Sequence, residues 1–154
     1  MIPRTSAQST SRVLLAGLIG NVMEWYDFAV YGYFATVIGR EFFPSSDPAA
    51  SLIGAFGAFA AGFLVRPLGG VVFGRIGDLA GRQVALKLSV MVMAVPTVLM
   101  GLLPTHSQIG IAAPIAVVLL RIVQGLSVGG EYTSSIIFLS ENAPERQRGF
   151  YAIW

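Results

Sequence analysis

The sequence predicts an all-α integral membrane fold, with four complete transmembrane helices and the opening turn of a fifth. Three observations carry that reading. Hydrophobic residues make up 55% of the chain and charged residues 12%, with a mean hydropathy of +0.71, far from the soluble average. The apolar residues gather into runs near the length that a helix needs to cross a bilayer. The 18 glycines also suit membrane helices, where Gly is commoner than in soluble ones.

Residues 1–12 form a short polar segment with Arg4 and Arg12. The run behind them is unlike a secretory signal, because it is long, holds two acids and has no small-residue cleavage site before further spans follow. Residues 13–38 are the first predicted span, followed by 50–73, 84–103 and 109–139, so that residues 13–139 form one four-helix membrane part. "GREFFPSSDPAAS", "GRIGDLAGRQ" and "PTHSQ" join the spans. Residues 140–154 supply a loop, "ENAPERQRG", and then "FYAIW", which reads as the start of a fifth helix.

Arg4, Arg12, Arg75, Arg82, Lys87, Arg146 and Arg148 fall on one side of these spans, against Arg40 alone on the other. The positive-inside rule then puts the N-terminus, the second loop and the tail in the cytoplasm, in a multi-pass protein of the cell (inner or plasma) membrane. The net charge of +2 reflects that topology. No basic patch is interleaved with aromatics, which argues against a nucleic-acid partner. The absence of Cys rules out disulfides, thiolate metal sites and a Cys nucleophile. With one His, no HExxH and no nucleophile beside a base, an enzyme is not expected, nor a cofactor or metal.

The first span carries two acids, Glu24 and Asp27, inside "NVMEWYDFAVYG". At 100° per residue, Gly17, Gly20, Asn21, Asp27, Phe28 and Tyr31 lie within about 60° of Glu24, whereas Trp25, Tyr26, Ala29 and Tyr33 point elsewhere. An acid at mid-membrane costs about 2.5–3.5 kcal/mol on insertion scales, so such groups face a bundle interior or an aqueous cavity. The fourth span offers a complement: Arg121, with Gln124, Gly125, Val128, Tyr132 and Ser135 on its face, lies roughly 18 Å along the helix from Ile109. An Arg at that depth keeps its proton and needs a carboxylate, carbonyls, water or an anionic ligand. Either acid could pair with Arg121. The pair could simply lock two helices, or it could line a cavity in which solute and proton compete for the same groups.

"GRIGDLAGRQ" has glycine spacing that superficially suggests a phosphate loop, but no strand precedes it and no GK[ST] follows. It reads instead as a short cytoplasmic turn, with Gly74, Gly77 and Gly81 allowing close backbone approach, Asp78 at a helix terminus and Arg82 able to meet nearby acids.

The pattern Gly74, Asp78, Gly81, Arg82 resembles the signature between the second and third helices of the major facilitator superfamily. "GNVMEWYDFAVYG", "FLVRPLGGVVFGRIGD", "RIVQGLSVGGEY" and "ENAPERQRGF" together resemble its metabolite:proton symporter family, which includes proline/betaine, citrate, 2-oxoglutarate and shikimate carriers. The resemblance implies a twelve-helix transporter of two six-helix halves that moves a small organic solute, a carboxylate or zwitterion, with protons by alternating access. The first and fourth helices would line the central cavity, giving Glu24, Asp27, Tyr31, Arg121 and Gln124 as the proton-coupling and solute residues. Gly74, Asp78, Gly81 and Arg82 would form the conformational gating motif, with Glu141 and Arg148 as partners in its charge network. Leu79 and Gln83 depart from the motif, standing where basic residues are common, which implies a weaker network. Since four helices are fewer than one half, the resemblance implies an N-terminal fragment, inactive alone without the C-terminal helices of the full transporter.

Other residues have two readings. Arg66, before Pro67, either snorkels to the interface or acts in the cavity. Glu131 joins either the cavity or Arg82, and His106 is expected in solvent. Gly70 with Gly74, and Gly125 with Gly129, fit small-xxx-small helix packing. The alternative to a transporter is a small helical membrane protein that acts as an interaction or assembly subunit.

Overall fold

The computed structural model describes the backbone of residues 7–142 and the side chains of residues 22–130. Within those limits the chain is all helix: α1 (Ala7–Phe42), α2 (Pro48–Leu64), α3 (Arg66–Ala80), α4 (Arg82–Leu102), α5 (His106–Ile109) and α6 (Ala112–Asn142). Three segments are long and apolar enough to cross a membrane: Pro48–Ala80, Arg82–Leu102 and Ala112–Gly130. The 36-residue α1 encloses the first predicted span.

Local chemistry explains the boundaries. Asp47 caps α2 by accepting from the Ala49 amide at 2.9 Å, with Pro48 at the first position, where its missing N–H is no loss. The second predicted span proves to be two helices in line, broken at Val65. Pro67 is the cause, because it cannot donate to the carbonyl four residues back and its ring crowds the preceding turn. The second loop shrinks to one residue. Gly74, Gly77 and Asp78 are helical, and Gly81 alone makes the turn at φ 98°, a conformation that glycine adopts without penalty. "PTHSQ" contains the one-turn α5, whose Thr105 and Gln108 form a capping box.

α6 is the centre of the bundle, in contact with each of the other helices. A Cβ on Gly125 would collide with the Gly62 carbonyl, one on Gly69 with the Leu126 carbonyl, and one on Gly129 with the Arg66 carbonyl. Glycine at these points lets α6 lie backbone to backbone along α2 and α3. The expected pairing through Gly74 is not what forms, since a Cβ there would meet nothing within 4 Å. It is Gly69 of α3 that packs on α6 instead. On the far side of α6, Ser127 donates to the Ser89 carbonyl of α4. At the C-terminal end of α1, Gly39 packs closely against the Ser51 carbonyl of α2.

The outward faces are apolar. Trp25, Tyr26, Tyr33, Leu64 and Leu102 are all well exposed, as lipid-facing side chains should be, and Trp25, Tyr26 and Tyr33 are residues that the helical projection turns away from Glu24.

Candidate functional site

The polar residues within the bundle come together around one point. Asp27 on α1 accepts from Arg121 Nη1 on α6 at 2.5 Å, and Glu24 Oε1, one turn away on α1, accepts from Arg66 Nη1 at 3.1 Å. Arg121 is buried, only 5% exposed, whereas the Arg66 side chain is partly buried, 20% exposed. Arg66 is the first residue of α3, and in this structure it turns and reaches across to Glu24 on α1.

Aromatic rings hold both guanidinium groups. Arg121 lies 3.8 Å over the Tyr31 ring, and Tyr31 stacks on Phe59, with centroids 5.4 Å apart. The Tyr31 hydroxyl donates to the Ala55 carbonyl at 2.7 Å, which fixes the ring under Arg121. Arg66 sits between Phe28 at 4.5 Å and Phe63 at 4.4 Å. A guanidinium over an aromatic face gains cation–π attraction, which grows where water is excluded. Each cation is thus oriented by an acid at its edge and rings at its faces.

Gln124 extends the network. Its Nε2 donates to Thr97 Oγ1 at 2.8 Å and approaches Asp27 Oδ1 at 3.5 Å, while Thr97 donates to the Met93 carbonyl at 2.9 Å. Asp27, Phe28, Phe59, Phe63, Arg66, Arg121 and Gln124 border a small cleft of about 20 Å³ that opens to its surroundings. Oppositely charged groups facing a cleft inside a membrane bundle can bind a small charged solute and exchange a proton.

The structure brings together Glu24, Asp27, Tyr31, Arg121 and Gln124, and adds Arg66. Thr97, Phe59 and Phe63 escaped the sequence reading. Thr97 had one signal, a hydroxyl beside a proline in mid-span, and the rings had none beyond their apolarity. The other proposed group is separate. Asp78 and Arg82 pair at 2.9 Å across the end of α3 and the start of α4, and Gly77 packs against the Arg82 side chain. Glu131 and Glu141 lie on α6 with side chains outside the described residues, as are those of Tyr132 and Ser135, and Arg148 lies beyond them altogether. Among the described residues no cluster of His, Cys, Asp and Glu could hold a metal ion.

Comparison with known proteins gives a family and several relatives. Residues 13–154 match the family model described as "Sugar (and other) transporter". The chain is 47% identical over 143 residues to the glycine betaine/proline/ectoine/pipecolic acid transporter OusA of Dickeya dadantii, covering 93% of this chain and 28% of that protein. It is 46% identical over 143 residues to the proline/betaine transporter of Salmonella typhimurium, covering 93% and 29%. It is 45% identical over 148 residues to the shikimate transporter of Escherichia coli, covering 96% and 34%. The chain thus spans about a third of the length of these curated relatives. No solved structure matches it.

Proposed function

The chain belongs to the sugar (and other) transporter family, within the major facilitator superfamily, and from that premise we propose that it forms the N-terminal four helices of a carrier that takes up a small carboxylate or zwitterion together with protons. The observation that carries this reading is the pair of ion pairs, Asp27–Arg121 and Glu24–Arg66, side by side on a cleft within the bundle. Two cations and two acids leave the site neutral, which a low-dielectric interior requires.

A solute carboxylate is the natural ligand for Arg121, whose planar fork matches it. Docking there takes a donor away from Asp27. An acid deprived of its cation inside the membrane must find another, or be neutralised by a proton. Solute and proton then enter in one step, with Asp27 as the exchanging acid and Glu24–Arg66 as its neighbour on the same wall. Tyr31 holds Arg121 flat, and Gln124 supports Asp27. The solutes in the relatives' names, among them proline, glycine betaine and shikimate, each carry a carboxylate, which supports the same chemistry.

At the cytoplasmic side, Gly74, Asp78, Gly81 and Arg82 form the gating element, with Glu141, Arg148 and Glu131 as its proposed partners. The basic residues there support a cytoplasmic N-terminus. The remaining helices of the carrier close the other side of the cavity.

The test is uptake by the full-length carrier in proteoliposomes with an imposed proton gradient. Arg121→Ala should abolish uptake, while Asp27→Asn and Glu24→Gln should each lower gradient-driven accumulation at least about tenfold, a typical loss for a positioned proton-transfer group. Unaltered accumulation in all three would remove the cavity assignment.

A further inference from the structure

Gln124 is only 3% exposed, and the two ends of its amide are placed differently. Its Nε2 donates to Thr97 Oγ1 at 2.8 Å and faces Asp27 Oδ1 at 3.5 Å, whereas its Oε1 is buried with no hydrogen-bond partner among the described residues. Buried polar groups are normally satisfied, so an unmet acceptor points to a donor that arrives in another state of the site. Arg66 Nε and Arg121 Nε are also unmet, but these are donors and suit the carboxylate of a solute. A carboxylate cannot fill the acceptor. The one donor that a proton-coupled cycle brings, whatever the solute, is the proton itself.

The two oxygens of Asp27 set where that proton lands. Arg121 Nη1 holds Oδ2, so Oδ1, the oxygen turned to Gln124, is the one free to take it. While Asp27 is charged, Nε2 is the proper end of the amide to face it, although 3.5 Å is long for a hydrogen bond. Once protonated, Asp27 has a hydrogen to give, and Nε2 is the wrong end. A half-turn of the amide about its last torsion, which is broad and two-fold, exchanges the ends. Oε1 then accepts from Asp27 and from Thr97, whose hydroxyl swings off the Met93 carbonyl that it bonds at 2.9 Å. With Arg121 given over to the solute, the carboxyl is free to close the remaining gap. The other charged and titratable groups around Asp27 are Arg66 on α3 and Glu24 and Tyr31 on α1; α2 has none, and α4 meets Gln124 through Thr97. Arg66 is engaged with Glu24, and Tyr31 gives its hydrogen to the Ala55 carbonyl.

Resting on the proton-coupled reading above, we infer that Gln124 is the positioning residue for the carried proton: its amide shows Nε2 to the charged Asp27 and, turned over, Oε1 to the protonated one. The proton comes from the outer solution onto Oδ1 and leaves from there to the cytoplasm, so that only an O–H bond is made and broken. Thr97 serves both settings, since its hydroxyl accepts from Nε2 in one and donates to Oε1 in the other. Without the acceptor, a protonated Asp27 would be buried with its hydrogen unmet, which makes the proton harder to load.

The test is the pH profile of solute exchange by the full-length carrier in proteoliposomes, at equal pH on both sides, with labelled L-proline, glycine betaine and shikimate as probes. Exchange by the wild type should fall as pH rises through the midpoint at which the site loses its proton. Gln124→Met, close in length but without the acceptor, should move that midpoint to more acidic pH by about one unit, a tenfold loss of proton affinity, whatever it does to the maximal rate. Asp27→Asn, which can neither gain nor lose the proton, should flatten the profile with or without Gln124→Met. A midpoint that stays put in Gln124→Met, or moves toward alkaline pH, would overturn the inference while leaving the proton on Asp27. Should Gln124→Met fail to reach the membrane, Gln124→Asn withdraws the same amide by one methylene and must shift the midpoint in the same direction; an unmoved midpoint there has the same force. An Asp27→Asn profile like that of the wild type would overturn the reading above and this inference with it, as would exchange of none of the three probes.

Discussion

Glu24 and Asp27 stand three residues apart on the same stripe of α1, and from the sequence either could meet Arg121. The helical projection and the depth of Arg121 made the meeting itself legible. The choice of partner was not, because it depends on Arg66, whose reach to α1 the apolar span around it does not reveal. Once Arg66 is seen against Glu24 at 3.1 Å, Asp27 is left for Arg121. The consequence can be measured by a double-mutant cycle. Glu24→Gln strands the Arg66 cation between two phenylalanines, and Arg66→Gln strands the acid. Each should lower the thermal stability of the detergent-solubilised carrier by more than the double substitution implies, with a coupling of about 0.5–3 kcal/mol. With 20% and 17% of these side chains exposed, the lower half of that range is expected, since residual solvation weakens the pair. Additive losses would mean that the two side chains do not act together.

Among the elements, helix existence was well marked by apolar run length, whereas helix phase was not. The small-xxx-small spacing of Gly70 and Gly74 pointed to them as a close-packing pair. Within α3, Gly69 meets the Leu126 backbone of α6, and Gly74 faces open space. Gly125 and Gly129, on the unbroken α6, fall where their spacing says. Substitution separates the two cases. Gly125→Ala and Gly69→Ala should each destabilise the protein by about 1–3 kcal/mol through overpacking, seen as a lower melting temperature. Gly74→Ala should be neutral or stabilising by up to about 1 kcal/mol, since alanine is the better helix former. A destabilised Gly74→Ala would restore the packing role that the sequence suggested.

For the whole molecule, class follows from composition, because a bilayer leaves few options for backbone hydrogen bonds, and the distribution of Lys and Arg carries the proposed cytoplasmic N-terminus. The absence of Cys makes the orientation open to direct measurement. In intact cells a membrane-impermeant thiol reagent should label Ser107→Cys, and should reach Gln83→Cys only after permeabilisation. The opposite pattern would invert the topology. The cleft itself could not be read along the chain. It needs α1, α2, α3 and α6 side by side, and its rings, Phe59 and Phe63, look in sequence like any lipid-facing phenylalanine.

The glycine seam along α6 bears on how such a carrier moves. With the carbonyls of Gly62, Arg66 and Leu126 pressed against glycine backbone, α6 and the α2–α3 pair are meshed like teeth and cannot slide past each other. Motion must carry them as one block. Helix α1 is fastened differently: it packs tightly on α2 near its C-terminal end, where Gly39 meets Ser51, and further back along the helix its acids hold Arg66 and Arg121 by charge. In the proposed carrier, discharging the acids of α1 would loosen that electrical hold, while the Tyr31–Ala55 hydrogen bond and the ring contacts with Phe59 keep the helix on α2.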